Sequence, residues 1–505
     1  MPSRYSRRTA LALLGSCLTS VGVAQADETS TTTTSTPTLP TPVGSHPTFG
    51  ANPARTGHLP DEDGPDEPVA GWWCVDSSGS HRLTPLALVD GRLYTGSPSE
   101  GLRALDPATG ETLWQTRFRS YPDAPTVVGD RLFTSDGTAV YAVGVESGRE
   151  LWTRQLTARL WTSVLAVNGG PGDLTLFVAR DRIREPNDDS NSEREPDDAR
   201  LFALDGDDGS IRWTAPLDRP MYGSLAAYGD LVCGGGEFGV SAFDAATGER
   251  RWHADLEARA TDPAVGDGSV VVGSDVGVVH ALNPKDGREQ WTFELPNAGE
   301  EEDEAGIRTS PAIADESVYV AATDGNLYAL SAATGDSRWV FDGGSRLTCS
   351  PTVVGTGDDA VVYVGSGQGN VFAVDADDGT MRWSHQLTDR VETEPVVVDS
   401  AVFVGDNEGR VHALVGESVP TEGTAACRVA ERETPTPQAA SEDSDSDGVP
   451  DDSDYAPRDG SVQRRSDLTG GEDERLGFLS GVGVGAVVSA FGAGAGWWLG
   501  NRNEE

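Results

Sequence analysis

Ala242-Phe243-Asp244-Ala245-Ala246-Thr247-Gly248-Glu249-Arg250-Arg251-Trp252 is one of a series. On the pattern Ala-apolar-(Asp)-x-x-x-Gly-x-x-x-Trp, copies begin at Ala104, Ala142, Ala203, Ala242, Ala281, Ala329 and Ala373. They end at Trp114, Trp152, Trp213, Trp252, Trp291, Trp339 and Trp383, and an eighth start, Ala413-Leu414, has no Trp after it. Most copies recur about every 40 residues, the period of a four-stranded propeller blade rather than of a helical or leucine-rich repeat. Each Gly sits in a polar turn between an alternating apolar run and a Trp-bearing run, as a hairpin with a positive-φ glycine requires.

The remainder of the unit reads backwards from that tail. The run 317–322 is followed by Asp324-Gly325, a two-residue hairpin signal, and then by 326–330. Before it lies Ser310-Pro311-Ala312-Ile313-Ala314, a short apolar strand with Pro near its start, where a missing ladder donor is tolerated. That makes four strands per unit. The segment 69–76 has Trp72 and Trp73 but no Ala-Leu-Asp tail before it, whereas the last repeat has the tail and no Trp. The expectation is an all-β, eight-bladed propeller of antiparallel blades over 69–419, its eighth blade completed by the N-terminal strand, which removes the exposed sheet edge. A blade completed locally by 424–430 is the alternative.

These repeats, with the dipeptides Thr84-Pro85, Ala124-Pro125, Asp262-Pro263, Ser310-Pro311, Ser350-Pro351 and Glu394-Pro395, resemble the pyrroloquinoline-quinone (PQQ)-like propeller repeats. That family contains quinoprotein dehydrogenases and the non-enzymatic outer-membrane assembly lipoproteins of the BamB type. The resemblance implies the fold; function lives in sites grafted onto it. A dehydrogenase of this kind implies PQQ and calcium in the axial cavity, an Asp base and, in alcohol-oxidising members, adjacent cysteines. The chain has no Cys-Cys pair, no catalytic set is assignable, and no c-type haem motif is present to carry electrons away. The Trp series reads as inter-blade packing rather than a quinone-stacking floor. His280 and His412 occupy a slot filled elsewhere by Arg103, Tyr141, Phe202, Ser241, Tyr328 and Phe372, which makes them packing residues rather than metal ligands.

Of 505 residues, 81 are acidic and 38 basic, and Lys285 is the only lysine. The net charge of −43 reads as a halophile's surface, hydrated by carboxylates where salt screens their repulsion, with a cation-binding or basic-partner surface as the alternative, and it disfavours nucleic acid as a partner. A resemblance to haloarchaeal secreted proteins follows from the first segment, 1–26. There Ser6-Arg7-Arg8 precedes an apolar stretch and Ala24-Gln25-Ala26, as in a twin-arginine signal peptide, although Ala10 stands where that family has Phe. Leu14-Gly15-Ser16-Cys17 also looks like a lipoprotein box, an alternative to cleavage after Ala26. Residues 27–68 form a Thr/Ser/Pro-rich stalk and lead-in.

After the propeller, 420–470 is an acidic linker holding Asp443, Asp445, Asp447, Asp451 and Asp454 around Gly448. It resembles the calcium repeats of thrombospondin type 3, in which alternating carboxylates wrap a hard cation; a solvated acidic spacer is the other reading. Within 471–505, Leu476 to Leu499 are 24 uncharged residues, long enough to span a bilayer as a single-pass anchor, with Trp497 and Trp498 suited to the membrane interface. Cys74 and Cys427 lie at the two ends of the ring, where a disulfide would staple it shut; Cys233 and Cys349 read as buried thiols. The functional expectation is a non-catalytic, extracellular, membrane-anchored interaction or assembly scaffold with a protein or envelope ligand. Its alternative is a membrane-tethered PQQ- and calcium-dependent alcohol or sugar dehydrogenase.

Overall fold

The computed structural model describes residues 48–416, except 66–67, 70–82, 99, 108–109, 111, 157–158, 171, 181–198, 297, 299–305 and 399–400. They form eight antiparallel four-stranded blades, one of which gains a fifth strand, His58–Leu59, paired in parallel at its inner edge. Blade one spans 87–116, two 126–155, three 165–216, four 221–255, five 264–294, six 312–342 and seven 352–386. Blade eight consists of Val396–Val398, Ala401–Gly405 and Val411–Gly416 with an outer strand from the other end of the propeller, Pro68–Val69. Pro68 pairs with Gly416 and Val69 with Val415, so strands from both ends close the ring. The rest of the expected N-terminal strand, and the alternative segment 424–430, lie outside the described residues.

The first strand of each blade lies innermost and touches its counterparts in the blades on either side, from Ala87–Val89 round to Val396–Val398 and back. The two middle strands are buried on both faces and read as near-continuous apolar runs, such as Ser317–Ala321. The outer strands face solvent on one side and alternate accordingly: Ser337–Asp342 runs from exposed to half-buried residue by residue.

The repeat motif explains how the blades adhere. Each Trp on an outer strand donates its indole N–H to a carbonyl in the motif turn of the next blade: Trp114 to Val145 (2.7 Å), Trp152 to Gly206 (3.2 Å), Trp213 to Ala245 (3.1 Å) and Trp252 to Pro284 (2.8 Å). Trp291 bonds Ala332 (2.8 Å) and Trp339 bonds Ala376 (3.0 Å). Trp383 completes the circle on Pro65 (2.8 Å), so the residues before the closing strand stand in for the missing turn of blade eight. Within the turn, the Asp at position three fixes the loop: the Asp244 carboxylate accepts from the Ala246 and Thr247 N–H groups and the Thr247 hydroxyl.

One turn differs from its sequence signature. The connection at Asp324-Gly325 is longer than a two-residue hairpin, because Ala322 still pairs with Asn326 and the loop is Thr323-Asp324-Gly325. The Asp324 carboxylate holds it open by accepting from the Asn326 N–H and the Tyr328 hydroxyl.

Candidate functional site

The axis of the ring is not an open channel. Residues 48–59, part of the stretch read as stalk and lead-in, run through it. The exposed inner-edge donors of successive blades are satisfied by successive carbonyls of this segment. Ala227 N–H bonds Pro53 O (2.7 Å), Val265 bonds Ala54 (2.8 Å), Ile313 bonds Thr56 (2.7 Å) and Val353 bonds Gly57 (2.8 Å). His58–Leu59 then pairs in parallel with the inner strand Thr352–Val354 of blade seven. Edge strands need such cover.

At the centre of the segment stands Arg55, 1% exposed. Its Nε donates to Leu225 O (2.9 Å), its Nη1 to Phe49 O, and its Nη2 approaches Ser163 Oγ at 3.4 Å. Burial pushes this guanidinium down to about 10, opposed by the fields of Asp262, Glu394 and Asp123. It therefore stays charged at neutral pH. Asp123, Asp262 and Glu394 all lie at the starts of inner strands, in or beside the Pro dipeptides of the repeat. Glu394, 3% exposed, accepts the Gly50 N–H at 2.8 Å. Asp262 is bonded by the backbone and side chain of Ser224, and burial raises its carboxyl to about 6; burial raises Asp123 as well. Ser224 in turn bonds Ser163 at 2.9 Å. The result is a buried cation linked through the Ser163 and Ser224 hydroxyls to Asp262, with Glu394 held through Gly50 and Asp123 acting on the guanidinium through its field.

The segment is moulded rather than extended. Ala51 (φ 66°) and Arg55 (φ 58°) occupy the left-handed region, a cost of about 1–2 kcal/mol per residue for a side-chain-bearing residue. Two flanking glycines, Gly50 (φ 73°) and Gly57 (φ 62°), take the same region without that cost. The backbone is bent so that its carbonyls meet several blades while Arg55 reaches the network, and those bonds hold it there.

The sequence-derived sites are dispersed. The seven Trp residues stand at the blade interfaces, away from the axis. Cys233 and Cys349 are free, buried thiols pushed up to about 12 by burial. Cys233 pairs with Ala242 in the register where blades one, two and three carry Tyr94, Phe133 and Phe177, so it fills an aromatic slot. His412 bonds the buried Asp406 carboxylate at 2.8 Å and His280 bonds Glu289 at 3.1 Å. Asp443, Asp445, Asp447, Asp451, Asp454, Cys74, Cys427 and the 476–499 segment lie outside the described residues. Among the described residues no three His, Cys, Asp or Glu side chains form a metal-ligating cluster, and no helix is long and apolar enough to cross a membrane. The sequence alone did not single out Arg55. The available signal was local: 48–59 departs from the Thr/Ser/Pro composition of the stalk and carries turn-forming residues around one arginine.

The family model of the outer membrane protein assembly factor BamB matches residues 70–173, 138–235 and 236–415, more than half of the chain. The chain belongs to this PQQ-like repeat family. Within curated proteins, the serine/threonine-protein kinase AfsK of Streptomyces coelicolor is 28% identical over 191 residues, 33% of this chain and 23% of that protein. The chain thus matches under a quarter of that relative's length. Among solved structures, the quinohemoprotein alcohol dehydrogenase of Comamonas testosteroni aligns with a TM-score of 0.55 at 12% identity, covering 73% of this chain and 80% of that one. Quinohemoprotein alcohol dehydrogenase ADHIIG of Pseudomonas putida HK5 aligns at 0.58 and 14%, covering 74% and 80%. BamB of Moraxella catarrhalis gives 0.38 at 17%, covering 58% and 95%. At these identities the dehydrogenase structures share the fold of this BamB-family propeller, and the family holds both scaffold and enzyme readings open.

Proposed function

We propose that this BamB-family propeller is a non-catalytic scaffold that binds a protein or envelope ligand on its surface. The carrying observation is the segment 48–59 on the propeller axis, with Arg55 buried among Asp123, Asp262 and Glu394. A quinone with a divalent cation does not fit these residues as they stand. The axial carboxylates already face a guanidinium, whose charge would repel a second cation placed among them. The segment is also fixed by hydrogen bonds to four successive blades, so a cofactor on the axis would have to displace it whole. The cell-surface placement in this reading rests on the twin-arginine-like segment 1–26 and the uncharged stretch from Leu476 to Leu499.

The alternative is a PQQ- and calcium-dependent alcohol or sugar dehydrogenase, favoured by the fold shared with the Comamonas and Pseudomonas enzymes. A titration of the protein with PQQ and calcium in multimolar KCl, following Trp fluorescence, separates the two. The scaffold predicts no saturable quenching. Stoichiometric, calcium-dependent quenching would overturn it and open a screen of alcohols and sugars.

A further inference from the structure

The outer strands of blades five and six each carry a Phe two residues after the motif Trp, and each Phe meets a ring of the next blade. Phe293 lies 5.7 Å from Tyr328 and Phe341 lies 5.2 Å from Phe372, centroid to centroid. In register, Phe293 pairs with Val279, Phe341 with Leu327 and His385 of blade seven with Val371, each two places along from the Ala–Trp pair of the motif. Tyr328, Phe372 and His412 likewise each stand one residue before the motif Ala, on the third strand. The seam between blades seven and eight therefore sets His385 against His412 where the two preceding seams hold aromatic pairs. Two neutral imidazoles fill such a slot by packing, whereas two imidazoliums there repel each other.

The charged groups around the pair are unevenly placed. His412 Nε2 lies 2.8 Å from Oδ2 of Asp406, whose side chain is fully buried. Arg410, on the same strand side, lies 3.7 Å from that oxygen and is bonded to Asp389 at 2.9 Å. The Glu408 N–H closes the turn onto Asp406 Oδ1 at 2.9 Å, and Arg390 pairs with Glu392 in the loop that joins the two blades. Among the described residues no carboxylate pairs with His385. A proton at His412 thus lies against a carboxylate, whereas one at His385 is half-buried without a counter-charge and faces His412. Burial and the field of His412 accordingly push His385 below its ordinary 6.5. Stability from the neutral ring is complete above pH 6.5 and is lost as pH falls through the lowered value, opposite in sign to the effect of a carboxyl raised by burial such as Asp262.

The same seam closes the ring. Trp383, two residues before His385 on its strand, donates its indole N–H to Pro65 O, and Pro68–Val69 then completes blade eight beside the strand that carries His412. We propose that this seam is an acid-sensitive latch: with His385 and His412 neutral it is sealed like its aromatic neighbours, and with both protonated it loosens and frees the closing strand. The latch acts on the ring itself and is independent of which ligand the propeller binds.

The test is hydrogen exchange of the full-length protein in multimolar KCl at pH about 7.5 and about 5, corrected for the intrinsic pH dependence of exchange; salt screens a half-buried pair only in part. Acid is expected to speed exchange in Met381–Gln386 and Val411–Gly416 by about threefold or more relative to the corresponding strands of blade six, Asn326–Ser331 and Ser337–Asp342. The comparison lies within one molecule, so a change in global stability is common to both sets. His385→Phe/His412→Tyr, which installs an aromatic pair like those of the neighbouring seams, should abolish the difference. His385→Gln alone, a milder change that leaves one titrating ring against Asp406, should abolish it as well. An equal acid response in blade six, no acid response at the seam, or a response that survives both variants would each overturn the latch.

Discussion

Gly248 of blade four lies flat against the indole of Trp213 in blade three: a Cβ on that glycine would stand 2.5 Å from Trp213 Cε3. The same relation holds for Gly148 on Trp114 (2.5 Å), Gly209 on Trp152 (2.6 Å), Gly287 on Trp252 (2.6 Å), Gly335 on Trp291 (2.5 Å) and Gly379 on Trp339 (2.7 Å). The motif glycine thus answers two demands at once, a left-handed turn and a ring pressed against its Cα. Its partner is the Trp of the preceding repeat, not the Trp of its own.

Gly248→Ala therefore carries two penalties, and a second glycine separates them. Gly129 has φ 59°, and a Cβ there would meet nothing within 4 Å, so Gly129→Ala bears only the backbone cost, about 1–2 kcal/mol. Gly248, at φ 74°, adds overpacking against Trp213, about 1–3 kcal/mol more. Urea denaturation of the two variants should place Gly248→Ala clearly below Gly129→Ala. Equal losses would show that the ring contact contributes nothing.

Arg55 is the cation of the axial network, and its removal leaves the buried Glu394 and the half-buried Asp123 and Asp262 without their counter-charge. Arg55→Met is expected to cost about 3–5 kcal/mol. Arg55→Lys should rescue little, because a single ammonium cannot reproduce the planar fork that bonds Leu225 O, Phe49 O and Ser163 together. Hydrogen exchange gives the local readout. The amides of Ala227, Val265, Ile313 and Val353, which donate to residues 53–57, should lose protection in Arg55→Met more than amides of the outer strands. Uniform loss across all blades would mean that the segment does not act as a separable axial clasp.

The pairing of Pro68 with Gly416 brings the two ends of the propeller together at the points from which the chain continues to Cys74 and Cys427. If those two cysteines form a disulfide, a chain cleaved after Ala26 and unfolded without reductant should label at two thiols, Cys233 and Cys349, and at four after reduction. In the folded protein neither Cys233 nor Cys349 should react, since both are buried and their thiols are pushed up to about 12. Four reactive thiols before reduction would exclude the staple.

The repeat made the fold legible because blades are built from local rules: a period near 40 residues, a positive-φ glycine and alternating strands. The closing strand was legible from a mismatch, a Trp segment without its tail at one end and a tail without its Trp at the other. The axial site was not, for a physical reason. Arg55, Asp123, Asp262 and Glu394 are far apart in sequence and meet only because the ring brings every inner-strand start to one axis. The edge-on pair Trp161–Tyr222 is hidden in the same way, since its members belong to different inter-blade segments. Trp161 also breaks the phase of the Trp series, lying in an inter-blade loop rather than on an outer strand.

The axial network should also set a pH dependence. Burial raises Asp262 from an ordinary 3.8 to about 6 in the folded protein, so the folded state binds this proton more tightly than the unfolded chain does. Stability from this group is complete below pH 4, falls as pH rises from 4 to 6, and is level above that. The full drop amounts to at most about 3 kcal/mol at 1.36 kcal/mol per unit. Asp123, raised by burial in the same direction, adds to the slope. Asp262→Asn removes the titrating group while keeping its shape, so the difference in unfolding free energy between this variant and the parent should change between pH 4 and 6 and be constant from 6.5 to 8. A parallel pair of pH profiles across the whole range would show that Asp262 shares its charge with Arg55 so fully that it titrates as an ordinary carboxylate.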